Sequence, residues 1–218
     1  MKKSIVLALS LLLIGSGIQT AQAHAGLDNR GVTPTKGKSS VVLLRIGHGC
    51  TAPDGVTKAG TYSVSVVVPS DLLAAPASAA MQISGWTSTV IPSTELTAAG
   101  LPVSNTITWT SKSDLFDIAP VGFAEFGIRG SWANAGSFWL DTTQLCRIAK
   151  TETIPGKIKD MKDPKTKKVV KVWVPDSQKT TYTNYKLSWT IHDSAAASTM
   201  NADKTEETGP APTLVIAG

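Results

Sequence analysis

The chain has 218 residues, a formal charge of +5, 42% hydrophobic residues, two cysteines and three histidines. That length supports one domain with a full core or, as a second option, two small ones. Beyond the amino-terminal segment nothing approaches the about 20 apolar residues of a membrane helix, and so few histidines leave a general-base enzyme short of candidates.

Lys2 and Lys3, the apolar run "IVLALSLLLIGSGI" and then Ala21-Gln22-Ala23 have the basic, apolar, small-x-small layout of a secretory signal peptide over residues 1–23. Cleavage at Ala23/His24 would leave 195 residues with a charge of +3 and make His24 the mature amino terminus. The mature chain is therefore expected to be soluble and periplasmic or secreted.

Strands are expected over Ser39–Ile46 ("SSVVLLRI"), Thr61–Val68, Met81–Thr87 and Asn105–Thr110. The series continues over Phe123–Arg129, Ser137–Thr143, Val169–Val174 and Thr183–Ile191. In the last of these Tyr185, Leu187, Trp189 and Ile191 share one face, the pattern of a half-buried strand. Turn formers such as Pro53-Asp54-Gly55 and Ala135-Gly136 separate the runs, and no convincing helical period occurs. Together these features predict an all-β chain, an immunoglobulin-like antiparallel β-sandwich forming a single domain over 24–218.

Between Lys150 and Lys171 eight lysines stand against Glu152, Asp160 and Asp163. The run reads as a solvated lysine-rich hairpin turning near Asp163-Pro164, not as a nucleic-acid site, because lysine lacks interleaved aromatics or Arg there. Residues 192–210, poor in aromatics and rich in small residues, are expected to form a flexible tail segment, with a final strand available in "TLVIA".

Cys50 and Cys146 are an even pair in a chain bound for an oxidising compartment, which most simply means one disulfide; a metal-thiolate site is the alternative. There is no nucleophile elbow, phosphate loop or HExxH pair. His24, once amino-terminal, could chelate Cu(II) through its amine and imidazole, a tetragonal nitrogen environment that the ion favours; it could equally be an arbitrary first residue. In "RIGHGCT", His48 is a second ligand or a polar residue at a strand end, with Gly47 and Gly49 supplying permissive backbone. Most of Trp86, Trp109, Trp132, Trp139, Trp173 and Trp189 should be core, and His192 a surface residue.

A signal ending before "HA", then "RIGHGC", "YSVSVVVPSDL", "ISGWT", "ITWTS", "FAEFGIRG", "FWLDTTQLC", "VVKVW" and terminal "PAPTLVIAG" resemble, in order, the YcnI family of exported copper-associated proteins of the DUF1775 type. The resemblance implies an immunoglobulin-like sandwich that takes copper, as Cu(II), at the mature amino terminus. It places the metal histidine on His24, the site tryptophan on Trp173 and the paired cysteines on Cys50 and Cys146. The family's carboxylate ligand falls on Ser40, which cannot replace it, leaving Asp28, Glu125 and Asp141 as other donors. Gly47 stands where the family usually has Pro, and residues around 147–168 look like an insertion.

The function expected is that of a copper chaperone or buffer, not an enzyme. Its partners would be the copper ion and a membrane copper importer or other periplasmic copper proteins, with no nucleic acid and no membrane span. The competing readings are a surface interaction or carbohydrate-binding module and a copper-dependent polysaccharide monooxygenase, which would need His48 or His192 as a second histidine.

Overall fold

Strand β1 (Ala25–Asp28) pairs antiparallel with β2 (Ser39–Ile46), and β2 with β7 (Ala124–Ser131), in a computed structural model that describes residues 25–52, 54–73 and 80–218. The expected cleavage position and His24 lie outside the described residues. Facing this three-stranded sheet is a larger one, in which β3 (Cys50–Thr51) pairs with β4 (Lys58–Pro69). Its remaining order is β13 (Thr199–Met200), β14 (Glu206–Pro210), β12 (Ser177–Ile191), β9 (Thr142–Ile154), β4, β6 (Ser104–Ser111) and β5 (Trp86–Pro92). Two ribbons complete the fold: β8 (Gly136–Trp139) with β15 (Thr213–Ile216), and β10 (Lys157–Lys162) with β11 (Val169–Val174). This is the immunoglobulin-like sandwich expected from the alternating pattern.

The core lies between the sheets. Val42, Leu44, Ile46 and Phe126 of the small sheet belong to one buried cluster with Val64, Val66, Ile107 and Trp109 of the large one. Phe126 sits between two indoles, 5.3 Å from Trp86 and 5.2 Å from Trp109 by ring centroids. Truncating such a side chain to Ala costs about 3–5 kcal/mol. Along β4 the buried positions switch from Ala59, Thr61 and Ser63 to Val64, Val66 and Val68, because a register shift between Thr61 and Ser63 inserts a bulge against β9.

Cys50 and Cys146 form the disulfide, with Cα atoms 6.0 Å apart, so the thiolate alternative is closed. Two expectations change. The Met81–Thr87 strand starts only at Trp86, because Gly85 turns at φ +77° and a Cβ there would strike the Phe116 ring. The 192–210 segment supplies β13 and β14. Glu206 opposes Lys186 in a parallel ladder, and its carboxylate takes the Lys186 ammonium at 2.8 Å and the Ser188 hydroxyl at 2.6 Å.

The expected 147–168 insertion is two stacked pieces of ribbon. Strand β9 runs on to Ile154 against the start of β12, and β10 then turns at Asp163, whose Oδ1 accepts the Lys165 and Thr166 amides. Among the described residues no helix is long and apolar enough to cross a membrane.

Candidate functional site

The ladder registers fix where the chain enters the fold. Ala25 stands opposite Ile46, and Ile46 opposite Ala124, so the start of β1, the end of β2 and the start of β7 share one end of the small sheet. Two residues beyond Ile46 comes His48, half-buried at the edge of an open hollow of about 380 Å³ shared with Thr51, Lys58, Pro120 and Val121.

Three local features hold His48. Its Nδ1 lies 2.6 Å from the Gly49 carbonyl oxygen, an atom that can only accept, so Nδ1 is the donor and Nε2 is not used in this contact. Its own carbonyl accepts the Gln144 Nε2–H at 3.0 Å. Gly49 is wedged so closely that a Cβ would lie 2.3 Å from the Ala59 carbonyl oxygen and 2.9 Å from Pro120 Cα. The glycine in "HGC" is thus required by close approach. The motifs "HGC" and "QLC" are joined twice, by the Gln144 amide and by the disulfide.

The carboxylates considered as metal donors are engaged elsewhere. Glu125 accepts Arg45 Nη2 on Oε1 at 2.8 Å and Arg30 Nη2 on Oε2 at 2.7 Å, while Asp28 Oδ2 meets Arg45 Nη2 at 2.8 Å. The Arg45 guanidinium, then that of Arg30, holds the Glu125 carboxyl below the usual range. Asp28, Arg30 and Glu125 rim a second open hollow of about 260 Å³ on the outer face of the small sheet, which Val41, Leu43 and Met81 also line. Asp141 is 2.7 Å from His192 Nε2, and the His192 ring stacks on Trp139 with centroids 5.6 Å apart.

Ser40 is opposite Gly130, six ladder positions from Ile46 and so about 20 Å away along a strand. A carboxylate at that position would not reach the start of β1. The indole that touches Ser40 is Trp132, buried to 1% exposure, whose Nε1–H donates to the hydroxyl at 2.6 Å. Trp173 is not brought to His48. It lies in the outer ribbon opposite Ile158, against Gly156, and is 60% exposed. Sequence reasoning missed the Gln144 link and the Trp132–Ser40 pair, although "QLC" carried the first.

The DUF1775 profile, described as a domain of unknown function, matches residues 24–166, about two thirds of the chain. The chain belongs to the DUF1775 family. That match starts at His24 and ends inside the β10–β11 turn, so all of β11 to β15 lie beyond it. Among solved structures, a protein from Nocardia farcinica, described as uncharacterized with an immunoglobulin-like fold, matches with a TM-score of 0.47 and 20% identity. The alignment covers 90% of this chain and 99% of that one. No curated protein matches the chain.

Among the described residues no group of three His, Cys, Asp or Glu could hold a metal ion unaided. Among the described residues, His48 is the imidazole at this end of the small sheet, and with its Nδ1 on a carbonyl its Nε2 is the nitrogen left for coordination.

Proposed function

We propose that this DUF1775 protein is an exported copper-binding protein, a Cu(II) chaperone or buffer of the periplasm or cell exterior and not an enzyme. Cleavage after Ala23 leaves His24 as the first residue, and its amine and imidazole anchor the ion. His48 is the ligand supplied by the folded domain. The observation that carries this reading is the pairing of Ala25, the first described residue, with Ile46, at the end of the sheet where His48 is held.

A resident Cu(II) would be bound by nitrogen donors, which the ion favours over carboxylate oxygen. That fits the engagement of Asp28, Glu125 and Asp141 with Arg or His partners. The partners of such a protein are a membrane copper importer or other periplasmic copper proteins. Mass spectrometry of the exported protein, followed by Cu(II) titration of wild type, His24→Ala and His48→Ala, tests the reading. A mature chain beginning anywhere but His24, or undiminished affinity in His24→Ala, would overturn it.

Recruitment of His48 also favours a second reading, a copper-dependent polysaccharide monooxygenase, since two histidines are what that chemistry requires. Release of oxidised sugars from chitin or cellulose by the reduced, copper-loaded protein would establish it, and no release would dismiss it.

A further inference from the structure

Beyond Arg147 on β9 the pairing with β4 stops, and below Lys186 on β12 the pairing with β14 has not begun. From Ile148–Thr183 outward, among the described residues, β9 and β12 pair only with each other, and β10–β11 extends the ribbon by six more rungs. The root of this arm is clamped. The Arg147 guanidinium lies between the Tyr62 and Tyr182 rings, 5.0 and 4.9 Å from their centroids, and grips Asp117 through Nε at 2.8 Å and Nη2 at 2.9 Å.

The outer ribbon divides by strand. Strand β11 carries Val169, Val170, Val172, Trp173 and Val174 with a single lysine, whereas β10 carries Lys157, Lys159 and Lys162 around Ile158 and Met161. Val169, Trp173 and Ile158 are each at least 60% exposed. The register puts Ile158, Trp173 and Val169 on one face with Lys162 and Lys171, and Val170, Val172 and Val174 on the other with Lys157 and Lys159. A two-stranded ribbon is marginal in water, and apolar side chains exposed on a folded protein in this way mark a contact.

We propose that this arm docks on an anionic lipid surface, with the β11 side chains and the Trp173 indole entering the headgroup zone and the lysines meeting lipid phosphates. Charge selects this occupant. Eight lysines against three carboxylates between residues 150 and 171 complement an acidic bilayer and repel the same arm of a second copy. Nucleic acid would use the lysines but not the valines, and no arginine follows Arg147 to read bases or stack on them. An indole opposite Ile158, with Lys162 and Lys171 on the same face of the ribbon, is what a membrane interface accommodates.

The test is co-sedimentation of the full mature chain with vesicles of phosphatidylglycerol and phosphatidylethanolamine, against pure phosphatidylcholine, at low and at 0.5 M salt, with and without a copper chelator. Binding to the anionic vesicles alone, reversed by salt and unaffected by the chelator, is the expected result and does not depend on the copper reading. The triple variant Lys157→Gln, Lys159→Gln, Lys162→Gln should weaken binding by about fivefold per lysine. Trp173→Ala should weaken it at constant charge. All four side chains are exposed, so the fold tolerates the changes. Equal partition to phosphatidylcholine, no partition to either vesicle, self-association through the arm in sedimentation velocity, or displacement from vesicles by duplex DNA with unchanged binding in Trp173→Ala would overturn the proposal.

Discussion

The Gln144 side-chain amide donates to the main-chain carbonyl of His48 at 3.0 Å, spanning 96 residues of sequence, two positions from the disulfide that joins the same two motifs. The same nitrogen reaches the Thr61 hydroxyl, while Oε1 is buried without a partner among the described residues. Gln144→Leu would leave the His48 carbonyl and the Thr61 hydroxyl without the amide. The expected loss is about 1–3 kcal/mol, at the low end because the orphaned Oε1 also disappears. Urea unfolding measures it, and a variant as stable as wild type would contradict the link.

Replacing both Cys50 and Cys146 by Ala opens a loop with a sequence separation of 96. In the chain-entropy account the loss is about 4–5 kcal/mol. The midpoint of thermal unfolding should fall by many degrees, and reduction of the wild-type protein should reproduce the shift.

Ser40→Glu introduces the carboxylate that the motif resemblance implies, but at a position about 20 Å along β2 from the start of β1, where the copper site is proposed. Cu(II) affinity in titration calorimetry should be unchanged. Stability should fall, since Ser40 Oγ is the acceptor for the buried Trp132 indole. A large gain in affinity would contradict the register argument.

Glu206 holds β14 to β12. The Lys186 ammonium, then the Ser188 hydroxyl, keeps its carboxyl below the usual range. A folded-state value below the unfolded one gives stability that is complete above the usual carboxylate pKa of about 4.3 and is lost as pH falls through the folded value. Calorimetry from pH 6 to pH 3 should show a steeper decline for wild type than for Glu206→Gln. At neutral pH the two should differ by about 0.5–1 kcal/mol, as for a partly exposed pair.

Asp117→Asn should loosen the arm without unfolding the sandwich. The Asp117 carboxylate, in fixing the Arg147 guanidinium, raises its pKa further and keeps it between the two tyrosine rings. The cost should be about 2 kcal/mol, as for a hydrogen bond to a charged group. Amide exchange should accelerate in 149–154 and 177–182 while remaining slow in β2 and β7.

Strands whose alternation reports a buried face were legible in the sequence: "SSVVLLRI" is β2, and "TNYKLSWTI" lies within β12. The disulfide followed from the even cysteine pair and the expectation of export. The tail was read as flexible because β13 and β14 carry few apolar residues, and what orders them is a ladder and a polar clamp on Glu206, which periodicity does not register. The relation of Ser40 to the start of β1 was also hidden. It depends on which residue faces Ala25, a property of register that resemblance of motifs does not supply. The tryptophan beside Ser40 is Trp132, delivered by the pairing of β2 with β7, which no motif announced.

The most direct test of the proposed copper site is pulsed electron paramagnetic resonance of the mature protein with one equivalent of Cu(II), which counts coordinated imidazoles. Two imidazole nitrogens in wild type, falling to one in His48→Ala and to one in His24→Ala, is the predicted result. A single imidazole in wild type, or a spectrum that His48→Ala leaves unchanged, would contradict the placement of the site between the start of β1 and the "HGC" turn.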